Sequence, residues 1–94
     1  MNLPIQYEGF VVSDASRVYN FVVLDVLQGV RLFTVQIPAV SFRSTHLKFQ
    51  DGPAISYERV RQELTGELPA HPQLHIGEQD IEEYLERHYP RKRR

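Results

Sequence analysis

The spacing of apolar residues changes once along this chain, and the change limits the folds that are open to it. Before Asp51-Gly52-Pro53, apolar and polar residues alternate at a two-residue period, which is the period of a β-strand. After this tripeptide, apolar residues recur every three or four positions, as on one face of an α-helix. A chain of 94 residues with this order predicts one small α+β domain, with strands first and helices second.

Three strands are predicted, over residues 5–12, 17–27 and 30–37. Gln28-Gly29 separates the second strand from the third, and because glycine can adopt a positive φ, we expect a hairpin there. The second strand carries apolar residues on both faces, which indicates a central position in the sheet. Pro38 has no backbone N–H to donate and is expected to end the third strand.

The segment 39–50 fits two interpretations, a short helix over 39–45 or a fourth strand over 46–49. A further extended piece is expected over 74–76, where it could join the sheet. The predicted fold is therefore an antiparallel meander of three strands, with four as the alternative, followed by two helices packed on one face.

The first helix is predicted over 53–64, with Asp51 as its N-cap and Pro53 in the first turn, where a missing amide hydrogen costs nothing. Its expected buried face consists of Ala54, Tyr57, Val60 and Leu64. The second helix is predicted over 78–88, after a Gly77 cap flanked by Ile76 and Ile81. Its expected apolar stripe consists of Ile81, Tyr84, Leu85 and His88.

Composition removes several classes of protein. The sequence contains no cysteine, so disulfides, thiolate zinc sites and thiol catalysis are excluded. The start Met1-Asn2-Leu3-Pro4 lacks the basic and apolar regions of a signal peptide, and apolar runs stay well short of the roughly 18 residues of a membrane span. We therefore expect a cytoplasmic protein without membrane association.

The sequence does not show a catalytic pattern. Hydroxyl and imidazole groups lie close together in sequence at Ser41, Ser44, Thr45 and His46, but a nucleophile also needs an oriented base, a third group and an oxyanion site. The five glycines are scattered singly and do not form a phosphate-binding loop. We therefore predict a non-enzymatic protein that uses no cofactor.

Two histidines raise the question of a metal site. His71 and His75 are four residues apart and are followed by Glu78 and Asp80, which are ligand types that zinc or nickel would accept. Pro72 stands between the histidines and disfavours the helix that would align them. A solvated loop explains the segment more simply, and no metal site is predicted.

A block of basic residues ends the sequence. Residues 1–90 are expected to form the domain, and 91–94 a tail composed of Arg91, Lys92, Arg93 and Arg94. These four side chains could contact the phosphates of a nucleic acid. The alternative is that they favour the negative end of the helix dipole and keep the protein soluble.

The function predicted from these features is that of a small binding or regulatory domain. It would act through protein–protein contacts at a sheet face, or at the edge of the first or third strand, with an unidentified protein partner and as a homodimer. The alternative is a nucleic-acid-binding accessory protein that uses the tail and a sheet face. That alternative predicts that some of Arg17, Arg31, Arg43 and Lys48 gather beside the tail.

Overall fold

The computed structural model describes residues 4–27, 29–66 and 69–90 and has the predicted α+β fold. Its elements in chain order are β1 (Ile5–Ser13), β2 (Ser16–Asp25), β3 (Gly29–Pro38), α1 (Ser41–Ser44), a 3-10 turn (Phe49–Asp51), α2 (Gly52–Leu64), β4 (Gln73–His75) and α3 (Glu78–His88). The basic residues 91–94 lie outside the described residues, so their predicted phosphate contacts stay a prediction.

The sheet has the order β1-β2-β3-β4. The first three strands form the predicted antiparallel meander, with β2 in a central position. The alternative fourth strand over 46–49 is wrong, because that segment leads from α1 into the 3-10 turn. The fourth strand is instead β4, close to the extended piece expected over 74–76. It runs parallel to β3, since α2 returns the chain to the same end of the sheet, and it occupies part of the β3 edge expected to be free.

A β-bulge changes the alternation of β1. The register with β2 shifts between Tyr7 and Gly9, and Gly9 has a φ of 104° that favours glycine. Because of this extra residue, Tyr7 pairs with Phe21 and Phe10 pairs with Tyr19. Both β1 aromatics therefore lie on the face that the helices cover. In a regular strand Tyr7 and Phe10, which are three positions apart, would lie on opposite faces.

The core lies between that face and the helices. It contains alternate residues of the two central strands together with residues from the helical half of the chain. The buried hydrophobic side chains are Tyr19, Phe21, Val23, Phe33, Val35, Ile37, Leu47, Ile55, Val60, Leu74, Ile76, Ile81 and Tyr84. Burial of one large apolar side chain contributes about 1.5 to 3 kcal/mol, so this cluster is the main stabilising element of the domain.

The buried face of α2 agrees with the prediction only in part. Val60 is buried and Leu64 is partly buried, as predicted, but Ala54 and Tyr57 are exposed. The other buried residues of this helix are Gly52, Ile55 and Ser56. The helix begins with Gly52 pressed against the ring of Tyr19, and this contact fixes which face turns inward. In contrast, α3 has the predicted bounds, the Gly77 cap and a buried Ile81 and Tyr84, while its last stripe residue, His88, is exposed.

Candidate functional site

One face of the sheet faces away from the core. Paired residues on neighbouring antiparallel strands have their side chains on the same face of the sheet. Every second residue of β2, together with its partner on β3, therefore lies on this face. On this face Val22 pairs with Leu32, and Leu24 pairs with Val30. Leu32 is 68% exposed, and Leu24 and Val30 are also exposed. We call this side of the sheet the open face.

The tip of the β2–β3 hairpin extends the apolar surface. Val26 is 97% exposed and Leu27 is 92% exposed, although the backbone there is ordered by a hydrogen bond from Leu27 N to Asp25 Oδ1. The open-face patch is defined as Val22, Leu24, Val26, Leu27, Val30 and Leu32. Large contiguous apolar patches of this kind commonly mark interaction sites in soluble proteins.

Along β2 and β3 the open face also carries no charged side chain. The charged residues Arg17, Asp25 and Arg31 all lie at the positions that alternate with this face. The open-face residues of β2 and β3 are Ser16, Val18, Asn20, Val22, Leu24, Val30, Leu32, Thr34, Gln36 and Pro38. Depletion of charge distinguishes the core of a protein interface from ordinary surface.

A second unusual arrangement lies at the opposite end of β2, on the helix-covered face. The guanidinium carbon of Arg17 lies 4.0 Å from the ring centroid of Phe49, 4.6 Å from that of Phe10 and 5.8 Å from that of Phe42. The Phe42 and Phe49 rings are 4.8 Å apart. Phe10 is 44% exposed and Phe49 is 57% exposed. We call these four residues the Arg17 corner.

Tyr19 lies next to this corner. Its buried hydroxyl has no hydrogen-bond partner of good geometry among the described residues. Burial raises the pKa of Tyr19, and hydrogen bonding to the Arg17 side chain together with the positive charge of Arg17 offsets part of that rise. Arg17 therefore lies close to Tyr19, but it forms no ion pair with a carboxylate in the described part of the chain.

Asp51 connects the end of α3 to the Arg17 corner. Asp51 is the N-cap residue of α2, as predicted, but its side chain makes no capping hydrogen bond to this helix, and its own backbone is already helical. Asp51 Oδ2 accepts a hydrogen bond from Lys48 N at 3.0 Å, and Oδ1 accepts one from the Tyr89 hydroxyl at 2.9 Å. The Tyr84 hydroxyl is 3.5 Å from Oδ1. Asp51 therefore holds the last turn of α3 against the 3-10 turn.

Raising the pH above about 10 is expected to destabilise the protein, because Tyr84 holds its proton more strongly in the folded state. Burial, followed by the negative charge of Asp51, raises the pKa of Tyr84 to about 12. The associated stabilisation is complete below about pH 10 and is lost as the pH rises toward about 12. Between these pH values the unfolding free energy falls by at most about 1.4 kcal/mol per pH unit. Solvent screening near the half-exposed Tyr89 makes the fall shallower.

Urea denaturation at about pH 9, 10 and 11 measures this slope. The Tyr84→Phe variant should show a shallower fall in unfolding free energy over the same interval, because it lacks the titrating hydroxyl. An equally steep fall in the variant and the wild type would contradict the assignment to Tyr84.

The remaining polar clusters serve local structure. Thr45 Oγ1 donates to Ser41 O and accepts from Leu47 N, so this hydroxyl is occupied within its own turn. Among the residues that the structure describes, no three histidine or carboxylate side chains are placed to hold a metal ion. His71 contributes its backbone N–H to Glu63.

Charged side chains also line a groove of about 390 Å³ between α2 and α3. Burial would raise the pKa of Glu58 there, but hydrogen bonds from Arg87 and His88 outweigh it and lower the pKa. Arg61, Asp80 and Glu83 also border the groove. The mixture of both signs of charge gives no preference for one ligand charge, and we assign the groove no site.

The basic residues that were expected to gather beside the tail lie in two separate regions of the domain. Arg17 lies beside Phe42 and Phe49, whose sequence neighbours Arg43 and Lys48 are exposed. Arg31 lies elsewhere, 5.1 Å from the Phe33 ring, and donates to Ala70 O. The hydrogen bond between Tyr89 and Asp51 brings the end of α3 to the first of these groups.

Comparison of the chain with models of known protein families, with curated proteins and with solved structures gave no match. Within the described ranges, no helix has the length and apolar character needed to cross a membrane. The open face and the Arg17 corner are therefore the two candidate interaction surfaces of the protein.

Proposed function

We propose that this protein is a self-associating interaction domain in which two copies pack through their open faces. The observation that carries the proposal is the apolar, charge-free character of that face along β2 and β3. Packing would cover the cross-strand pairs Val22–Leu32 and Leu24–Val30 and the exposed hairpin tip. Burial of such apolar area contributes about 25 cal/mol per Å² before the entropy of association is subtracted.

The charge distribution favours a second copy as the occupant. In a two-fold symmetric contact each copy presents the same patch, so a charged face would bring like charges together near the axis. The open face avoids this repulsion. Its polar residues, Asn20, Thr34 and Gln36, carry amide or hydroxyl groups that both donate and accept hydrogen bonds, so they can pair with their own kind.

The size of the face is also adequate. Three strands of nine or ten residues, about 4.8 Å apart and rising about 3.3 Å per residue, give a face of roughly 14 by 33 Å, to which the three residues of β4 add a little. This footprint, on the order of 500 Å², is more than half of the roughly 800 Å² that each partner contributes to a standard stable interface. The exposed hairpin tip adds to it.

Leu32→Glu is expected to abolish self-association. The substitution would place two carboxylates in a desolvated interface, which should raise the dissociation constant by about 100-fold or more. Sedimentation velocity across a concentration series measures the change, and the variant should sediment as a species of 11.0 kDa. Val12→Glu is the matched control, because Val12 is 69% exposed on a strand but lies on the other face, paired with Arg17.

Two results would contradict the proposal. A wild-type protein that stays at 11.0 kDa at the highest concentration would exclude self-association. Loss of association in Val12→Glu but not in Leu32→Glu would instead indicate pairing through the free edge of β1. Thermal unfolding of both variants shows whether the fold is kept, and both positions are exposed, so we expect it to be.

A further inference from the structure

The guanidinium of Arg17 is packed against aromatic rings and has no carboxylate partner among the residues that the structure describes. Its carbon lies over the rings of Phe10, Phe42 and Phe49, and the five N–H donors of a guanidinium lie around the edge of its plane. The side chain is only partly exposed, and it forms no ion pair with the described residues. Because withdrawal of a cation from water is costly unless an anion replaces the lost hydration, this arrangement favours an external oxyanion.

The surrounding segment is positively charged. Residues 39–50 include Arg43 and Lys48 but contain no aspartate or glutamate. Arg43 and Lys48 are both exposed and directly follow or precede a phenylalanine of the corner. Asp51, which ends this stretch, is buried and already accepts hydrogen bonds from Lys48 N and the Tyr89 hydroxyl. Exposed cations therefore accompany Arg17 along this part of the chain.

Exposed aromatic surface adjoins these cations. Phe49 is more than half exposed although it contacts both Arg17 and Phe42. Phe10, which also contacts the guanidinium, is exposed to a smaller extent. Stacking of bases on such rings, next to cations that bind the backbone, is the way in which proteins bind single strands without sequence preference.

We infer that the Arg17 corner binds single-stranded nucleic acid, with a phosphate at Arg17 and Lys48 and a base stacked on Phe49. Each nucleotide supplies both a phosphate and a planar base, and so matches both features of the corner. An acidic peptide would satisfy the cations but leave the phenylalanines uncovered. Duplex DNA keeps its bases stacked on one another and cannot offer them to Phe49.

This site is separate from the open face, because Arg17 and Phe10 belong to the helix-covered side of the sheet. It also differs from the tail and sheet face considered from the sequence. The net charge of −1 means that the molecule as a whole does not attract polyanions, so binding should depend on local contacts and weaken steeply with salt.

Fluorescence anisotropy of the full chain with a labelled oligothymidylate of about 12 nucleotides, at low salt, tests the inference. Phe49→Leu keeps an apolar side chain but removes the ring, and Arg17→Gln and Lys48→Gln each remove a charge. Each should weaken binding by about tenfold. Arg61→Gln is the matched control, because Arg61 is exposed and forms no ion pair within the described ranges, and it should change binding by less than about twofold.

Several outcomes would overturn the inference. These are absence of binding at low salt, equal weakening by Arg17→Gln and Arg61→Gln, and competition by polyglutamate as effective as that of unlabelled oligothymidylate. Loss of binding only when Arg91, Lys92, Arg93 and Arg94 are all changed to glutamine would assign binding to the tail instead. Circular dichroism checks folding, and Phe49 and Lys48 are exposed, so their variants remain informative if Arg17→Gln unfolds.

Discussion

Gly52→Ala is expected to destabilise the protein by about 3 kcal/mol or more, although alanine normally stabilises a helix by about 1 kcal/mol relative to glycine. A Cβ at Gly52 would overlap the hydroxyl and the ring of Tyr19. Tyr19 is completely buried on the central strand β2, and Gly52 begins α2, so neither can move away without disturbing the core. Overpacking therefore outweighs helix propensity here.

Urea denaturation measures this effect as a lower midpoint with an unchanged slope. Gly66→Ala provides the control, because an added Cβ there would lie at an ordinary 3.5 Å from Glu63 O. We expect the control to change the unfolding free energy by less than about 0.5 kcal/mol. A Gly52→Ala protein as stable as the wild type would show that the contact between α2 and Tyr19 does not limit the packing of the core.

The same contact explains why the buried face of α2 could be predicted only in part, with Val60 and Leu64 correct. Hydrophobic periodicity selected Ala54 and Tyr57, but both are exposed. The helix turns Gly52 and Ser56 inward, and neither is apolar, so neither contributes to the pattern. The phase of this helix depends on a close approach to Tyr19, which is a property of the tertiary structure. The helix α3 lacks such a constraint, and its pattern predicted its bounds.

The order of the sheet was predictable only where pairing is local. The β2–β3 hairpin followed from alternation and Gly29, which has a φ of 82°. In contrast, β4 has three residues and pairs in parallel with β3 across the whole of α2. Its stability comes from that distant partner, so the sequence indicated an extended segment without showing where it would join the sheet.

The two candidate surfaces also differ in how far they could be predicted from the sequence. The apolar outer side of β2 indicated that one sheet face would need a partner, and the structure places apolar cross-strand pairs on that face. The Arg17 corner combines side chains from β1, β2, α1 and the 3-10 turn, and Phe10 reaches it because the bulge at Gly9 shifts the alternation. Such a combination leaves no signal at a fixed sequence spacing.

Asp51→Ala is expected to lower the unfolding free energy by about 2 to 3 kcal/mol. The substitution would leave Lys48 N without its acceptor and would remove the acceptor of the Tyr84 and Tyr89 hydroxyls. Tyr89 is half exposed and can turn to water, so most of the loss should come from Lys48 and the buried Tyr84. The substitution also removes the free-energy cost of burying the Asp51 carboxylate. We therefore expect a loss smaller than the sum of three hydrogen bonds.

Asp51→Asn separates the role of the charge from that of the acceptors. The asparagine carbonyl can accept from Lys48 N, and its amide can donate to a tyrosine hydroxyl that rotates to accept. We therefore expect a loss of about 1 kcal/mol, smaller than that of Asp51→Ala. Urea denaturation of both variants, each repeated in a Tyr89→Phe background, measures the coupling between Asp51 and the end of α3. Additive effects in the double variants would contradict the view that Asp51 holds this helix end in place.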